Sequence, residues 1–346
     1  MGFAKLSFKD FFLNIKMSFL PTSTNKIKTD RILYLDFVKF FAAFFTVFYH
    51  LAYYKLDYGF SQDTVYYPNF MRIVMCFASC CVPLFFMVNG ALMFARHRTI
   101  KDTYLKILKI AFLIIFWSFL NFPSWFFKTL CVLYLLFPIF QYIYNHSKKW
   151  YFVICGLVLI FPFIYNFAVM MIQFIGLKEI NLIGISISLS SFRRTGFFTL
   201  YSILYYLLGP VVSKVKKTPI YLDLILIFSG LFLVVLECTI YTNLNKAMFD
   251  GVNAAFPTVG ALLLSMGLFL FFKKFTFKAI EKPLLFICNG ILAIYILHSY
   301  IISILPAFLS ESLVVAIMVA FAICVIGAII GKVASKIPVV CWLFKI

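Results

Sequence analysis

The run Leu313-Val-Val-Ala-Ile-Met-Val-Ala-Phe-Ala-Ile-Cys-Val-Ile-Gly-Ala-Ile-Ile-Gly-Lys-Val333 holds no charged residue before Lys332. A helix rises 1.5 Å per residue, so about 20 apolar residues cross a hydrocarbon core of about 30 Å. The stretch is long enough to span, and nothing in it alternates as a strand of a membrane barrel must. Nine more runs read the same way: Leu33–Tyr53, Phe70–Phe94, Tyr104–Leu120, Trp125–Tyr144, Trp150–Ile172, Thr195–Val212, Ile220–Tyr241, Ala254–Phe272 and Leu284–Phe308. The spacing predicts an all-α membrane protein, a bundle of about ten transmembrane helices.

Composition agrees, with 64% hydrophobic residues, 12% charged residues and a mean hydropathy of +1.02 over 346 residues. No soluble core hides that much apolar surface. The net charge of +19 raises the question of a nucleic-acid partner, but the basic residues sit in short clusters between apolar runs, as topology signals do. No nucleic acid is needed to explain them.

With the N-terminus inside, the outer side keeps Lys55, Arg72, Lys128, Lys178, Arg193, Arg194 and Lys246, and the other 24 of the 31 basic residues fall inside. An excess of Lys and Arg on the cytoplasmic side therefore predicts both termini in the cytoplasm and an even helix number. The expected location is the cell inner (plasma) membrane, multi-pass. Residues 1–30 form a basic cytoplasmic amphipathic arm in which Phe3, Phe8, Phe11, Phe12 and Phe19 punctuate the lysines, suited to an anionic lipid surface. That arm has no apolar core or small-residue cleavage site, so it does not read as a signal peptide. Residues 31–346 read as a single transmembrane domain. The longest outer segment, Gln173 to Arg194, is expected to pack over the outer mouth.

The nine cysteines lie in or beside apolar runs without metal-ligand spacing, which makes them small packing residues. Phosphate-binding loops, dinucleotide fingerprints, nucleophile elbows and zinc-protease helices are all missing from the sequence.

Charge inside a bilayer is costly and usually faces a cavity or a partner. The first run holds Asp36, Lys39 and His50 on one stripe: at 100° per residue, Lys39 and His50 stand about 20° apart around the axis, Asp36 and His50 about 40°. Along the axis Lys39 and His50 are roughly 16 Å apart. Asp36 and Lys39 also fit as boundary residues, and His50 as an interfacial one. In the second run Pro83 frees a backbone carbonyl and Gly90 permits close approach. Arg96, His97, Arg98, Lys101, Lys106 and Lys109 follow, a cluster that fits a topology signal, a lipid headgroup or the phosphates of a nucleotide-bearing donor. Tyr295 and His298 lie in the ninth run, where a histidine needs a partner. Glu237, near the outer end of the seventh, is expected to reach the interface. Arg193 and Arg194 fit either a membrane-surface anchor or an acidic acceptor.

On these residues the chain resembles the integral-membrane acyltransferase family 3, acyl-CoA-dependent O-acyltransferases of surface glycans. Arg31-Ile-Leu-Tyr-Leu-Asp-Phe-Val-Lys-Phe-Phe-Ala-Ala-Phe-Phe-Thr-Val-Phe-Tyr-His50 looks like that family's first helix, in which an Asp precedes an Arg and a His follows after ten residues. Val82-Pro-Leu-Phe-Phe-Met-Val-Asn-Gly-Ala-Leu92 is similar to its second helix, Trp125-Phe-Phe with Tyr134 and Pro138 to its fourth, and Ile294 to His298 to its ninth. Departures are Lys39 for the family's Arg, Lys106 and Lys109 for its Arg-x-x-Arg, and Asn89 for its usual Ser. Pro123 and Ser124 stand where a histidine is often found. With lysine the charge survives and the bidentate phosphate fork does not.

What the resemblance implies is transfer of an acetyl or succinyl group from cytoplasmic acyl-CoA, a co-substrate with no bound cofactor or metal, to a hydroxyl of a cell-surface or lipid-linked glycan. His50 would be the base or acyl carrier, with Asp36 and Lys39 as its catalytic companions. Arg96, Arg98, Lys106 and Lys109 would hold the CoA phosphates, and Arg193, Arg194, Tyr295 and His298 would line the acceptor site. Membrane lipids and polysaccharide synthase components are the further partners it implies. Two other readings fit a charged stripe in a helical bundle: a polysaccharide exporter or flippase, and a non-catalytic subunit of a polysaccharide synthase.

Overall fold

The structure is a computed structural model and describes residues 31–55, 70–95, 98–120, 124–176, 179–182, 185–188, 200–216, 218–245, 249, 251, 255–306, 312–337 and 340–344. The basic arm, Arg96, His97, Arg193 and Arg194 lie outside the described residues. The described chain is almost wholly helical. Its one sheet among the described residues is a two-stranded antiparallel hairpin of β1 (Glu179–Leu182) and β2 (Ile185–Ser188), with Glu179 opposite Ser188, inside the segment expected to cover the outer mouth.

Thirteen α-helices are described: α1 (Leu33–Lys55), α2 (Phe70–Ala78), α3 (Cys81–Phe94), α4 (Ile100–Ser118), α5 (Trp125–His146), α6 (Lys148–Leu159), α7 (Asn166–Phe174), α8 (Leu200–Lys214), α9 (Ile220–Asn245), α10 (Val259–Phe272), α11 (Glu281–Asn289), α12 (Ile291–Ile304) and α13 (Leu313–Ala334). Each of the ten apolar runs overlaps at least one of them. Among the described residues six stretches are long and apolar enough to cross a membrane: Leu33–Tyr53, Phe70–Phe94, Trp125–His146, Lys148–Phe174, Ile220–Asn245 and Leu313–Ala334. A seventh forms if α11 and α12, bent by 64° at their junction, count as one span.

The remaining three runs fall short for physical reasons. Helix α4 has 19 residues but places Lys101, Asp102, Lys106 and Lys109 in its first half. Helices α8 and α10 have 15 and 14 residues, and about 20 Å of helix is less than the hydrocarbon thickness.

Breaks inside spans have local causes. Pro83 has no N–H to give the Ser79 carbonyl, and the chain turns at Ser79–Cys80 between α2 and α3, where the Ser79 hydroxyl bonds the Cys76 carbonyl at 2.6 Å. Pro162 sits in a π-helical turn, Ile160–Tyr165, joining α6 to α7. At the third break Gly290 lets the chain pass so close to α13 that a Cβ there would meet the Ala328 Cα.

The described chain divides into two compact units, one built on Met93–Tyr151, the other on Leu33–Leu92 with Phe152–Lys345. In the smaller, α4 opens with a capping box between Thr99 and Asp102 and packs along α5. Phe94 anchors it, its ring 5.1 Å from those of Phe137 and Tyr144. Leu105, Leu108, Phe112 and Ile115 stay exposed along α4.

In the larger unit α1 is the hub, touching α2, α10, α11, α12 and α13. Helices α3 and α8 cross backbone to backbone: a Cβ on Gly90 would overlap the Tyr206 carbonyl, and one on Gly209 would overlap that of Met87. Such crossings of small residues are how helices associate where lipid removes the hydrophobic drive. Large apolar side chains, among them Ile225, Phe228 and Phe232 on α9 and Val314, Met318 and Phe321 on α13, stay exposed. Surfaces of this kind suit a lipid solvent. Among the described residues Cys76, Cys80, Cys81, Cys155, Cys238 and Cys324 are buried as packing residues.

Candidate functional site

Two histidines from opposite ends of the sequence meet inside the larger unit. His50, near the end of α1, and His298, in the middle of α12, bring Nδ1 and Nε2 to 2.7 Å, with ring centroids 4.9 Å apart and planes at 20°. His298 is buried, 2% exposed, while His50 is half-buried. The His298 Nδ1 lies 3.2 Å from the Ile294 carbonyl, one turn back on the same helix. Tyr295 stands 5.8 Å from the His298 ring, and Tyr49 sits 6.2 Å from that of His50 and stacks on Tyr53.

Helix α1 places the other stripe residues as its periodicity requires. Asp36, 2% exposed, pairs with Lys39 at 3.3 Å, while the Cys288 thiol reaches the Asp36 carbonyl at 3.1 Å. From this ion pair to His50 the helix runs roughly 16 Å. The two polar groups on α1 are therefore separate stations on one face and cannot act on the same atom.

The basic residues expected at the donor lie in the smaller unit. Lys106 stands 5.6 Å over the Tyr134 ring and points its ammonium at the Met93 sulfur, 3.8 Å away. The Arg98 Nε is buried with no hydrogen-bond partner among the described residues. Lys109 follows Lys106 on α4 and is half-buried. Asn89 turns its amide back to the Phe85 carbonyl at 2.9 Å.

Glu237 corrects its sequence reading. Instead of reaching the interface it is buried, and its carboxylate accepts the Gly260 N–H at 2.8 Å and the Val259 N–H at 3.3 Å, so it caps α10 beside the Thr258 hydroxyl. Asp223, a third buried acid after Asp36 and Glu237, escaped the sequence reading. It pairs with Lys274 and accepts from Thr218 at 2.7 Å. Its signal was a lone acid in the first turn of a long apolar run. Neighbouring Lys273 donates to the Val215 carbonyl at 2.6 Å, and burial holds its ammonium below the usual lysine range. Both groups tie helix ends together.

Among the described residues no three His, Cys, Asp or Glu side chains converge as a metal site. The elements define a multi-pass helical membrane protein in which a histidine pair joins α1 to α12 among the described residues. Comparison of the chain with protein-family models, with curated proteins and with solved structures finds no match in any of the three.

Proposed function

We propose that this is a membrane O-acyltransferase, which moves an acetyl or succinyl group from cytoplasmic acyl-CoA to a hydroxyl of a cell-surface or lipid-linked glycan. The observation that carries the reading is the contact of His50 with His298, which gives a reactive imidazole a fixed partner inside a helical bundle. In this reading all ten apolar runs enter the inner membrane, the shorter ones as partial crossings, and both termini are cytoplasmic.

As base, His50 takes the proton of the acceptor hydroxyl while its oxygen attacks the thioester carbonyl; the C–O bond forms, the C–S bond breaks, and the departing thiolate recovers the proton from the imidazolium. As carrier, His50 first exchanges the C–S bond for a C–N bond with release of the thiolate, and the acceptor oxygen then exchanges C–N for C–O, its proton ending on the thiolate. Asp36 and Lys39 form a neutralised polar station farther along α1. Arg98, Lys106 and Lys109, with Arg96, hold the donor phosphates in this reading, as cationic side chains at the start of α4. Tyr295, with Arg193 and Arg194, contacts the acceptor.

The test is acyl transfer from labelled acetyl-CoA and succinyl-CoA by purified protein in proteoliposomes, combined with mass spectrometry of surface glycans with and without the protein. An acyl mark that depends on the protein supports the reading. Unchanged glycan masses and no turnover of either donor overturn it.

A further inference from the structure

The hydrogen bonds around the histidine pair fix more than its position. The Ile294 carbonyl is only an acceptor, so the His298 Nδ1 at 3.2 Å must carry a hydrogen. A neutral imidazole has one N–H, which leaves the His298 Nε2 as a bare lone pair. The His50 Nδ1 faces that lone pair at 2.7 Å and must therefore carry the hydrogen of the bridge. In a neutral ring, a hydrogen on the His50 Nδ1 puts the lone pair on its Nε2.

We infer that His298 is a positioning residue, which locks His50 in the Nδ1–H tautomer and so makes its Nε2 the nitrogen that takes the proton or the acyl group. The inference rests on the acyltransferase reading for its chemical consequence, but the tautomer itself is a property of the resting protein. Which ring nitrogen of a histidine is protonated follows from the bond made by the other one. Here the order is set by a backbone carbonyl of α12, passed through one imidazole to the next. An orienting group that is itself neutral supplies direction without a buried counter-charge.

The ring is held as well as protonated. Its partner is buried on a rigid helix, and Ala293, Ile294 and Ile296 around it are at most 1% exposed. By analogy with the partners that orient metal-ligating histidines, removal of His298 is expected to cost about 10–100-fold. A glutamine at position 298 keeps a carbonyl oxygen where the His298 Nε2 stands and accepts the same N–H; a leucine does not.

The experiment measures tautomer and turnover separately. Protein labelled with 15N-histidine, reconstituted in lipid, is examined by solid-state NMR, with His50→Gln and His298→Gln difference spectra assigning the two rings. The expected wild-type spectrum has both rings neutral with protonated Nδ1 and bare Nε2. In His298→Leu the His50 ring should lose that single state and populate the Nε2–H tautomer. In the transfer assay, normalised to inserted protein, His298→Leu should lower kcat by about 10–100-fold with donor KM little changed, and His298→Gln should recover most of it.

A His50 ring protonated at Nε2 in the wild type overturns the inference, and so does a His298→Leu protein whose His50 spectrum and kcat match the wild type. Should the His298→Leu protein fail to insert, the wild-type and His298→Gln spectra decide alone. If no acyl transfer occurs while the tautomer is as stated, the acyltransferase reading has failed and the locked ring stands. Active protein with the opposite tautomer reports the reverse.

Discussion

Phe277 lies face to face with Phe37, ring centroids 4.0 Å apart and planes 11° from parallel, although its own backbone is held in the left-handed region at φ 51°. A left-handed L-residue costs about 1–2 kcal/mol, so the stack between α1 and the turn after α10 holds a strained residue in place. Phe277→Ala should lose the ring and keep the strain, whereas Phe277→Gly loses both. The glycine variant should therefore be more stable than the alanine variant by about 1 kcal/mol, and both less stable than wild type. Thermal unfolding midpoints in detergent measure the order; alanine above glycine would refute it.

The His50 prediction concerns rate. His50→Ala should abolish glycan acylation while the protein inserts normally, with the loss in kcat, since general-base catalysis contributes about 10²–10⁴-fold. His50→Gln, which forms hydrogen bonds and takes no proton at neutral pH, should be nearly as inactive. Acyl transfer per correctly inserted molecule decides. Wild-type turnover in the glutamine variant removes His50 from the chemistry.

At the basic cluster, replacing Lys106 and Lys109 together by alanine should raise the donor KM with kcat little changed, because a phosphate contact made equally in ground and transition states affects binding alone. Arginine at both positions should preserve or improve donor binding through its bidentate fork. Donor titrations that coincide for all three proteins would show that these lysines set topology only.

For Glu237 the expected order of stability is wild type, then Glu237→Gln, then Glu237→Leu. Glutamine keeps one oxygen for the Gly260 N–H, while leucine strands that buried N–H, at about 1–3 kcal/mol, and the part-buried Val259 N–H at less. Detergent unfolding should reproduce that order. A leucine variant as stable as wild type would mean that the first turn of α10 is capped by something else.

Topology is tested with reporters. Fusions after Lys149 and after Lys217 should be cytoplasmic, and one near Asn245 external, as the alternation of loop charge requires. Lys149 and Asn245 on the same side would sink the ten-helix arrangement.

Hydropathy in the sequence located the helices, because each apolar run needs its backbone satisfied within itself in lipid. It did not locate their breaks. The run Leu284–Phe308 reads as continuous, yet the chain bends by 64° where Gly290 approaches α13, and only the neighbouring helix reveals that. Likewise α10 looks long in sequence and is short in space, since Thr258 and Glu237 begin it late. Asp36, Lys39 and His50 could be placed on one stripe because periodicity is local. That His50 and His298 are partners was not legible: each announced a need for a hydrogen bond, but nothing within either helix names a residue 248 positions away.

The crossing at Gly90 and Gly209 also limits how this protein can move. With no clearance for a single methyl group between the two backbones, α3 and α8 can neither roll nor slide past one another without separating entirely. Any motion of the larger unit during a working cycle must carry the pair as one stiff beam, and the hinges have to lie elsewhere. The junctions already bent or turned, at Gly290 and at Ser79–Cys80, are where such flexing has the least regular helix to disrupt.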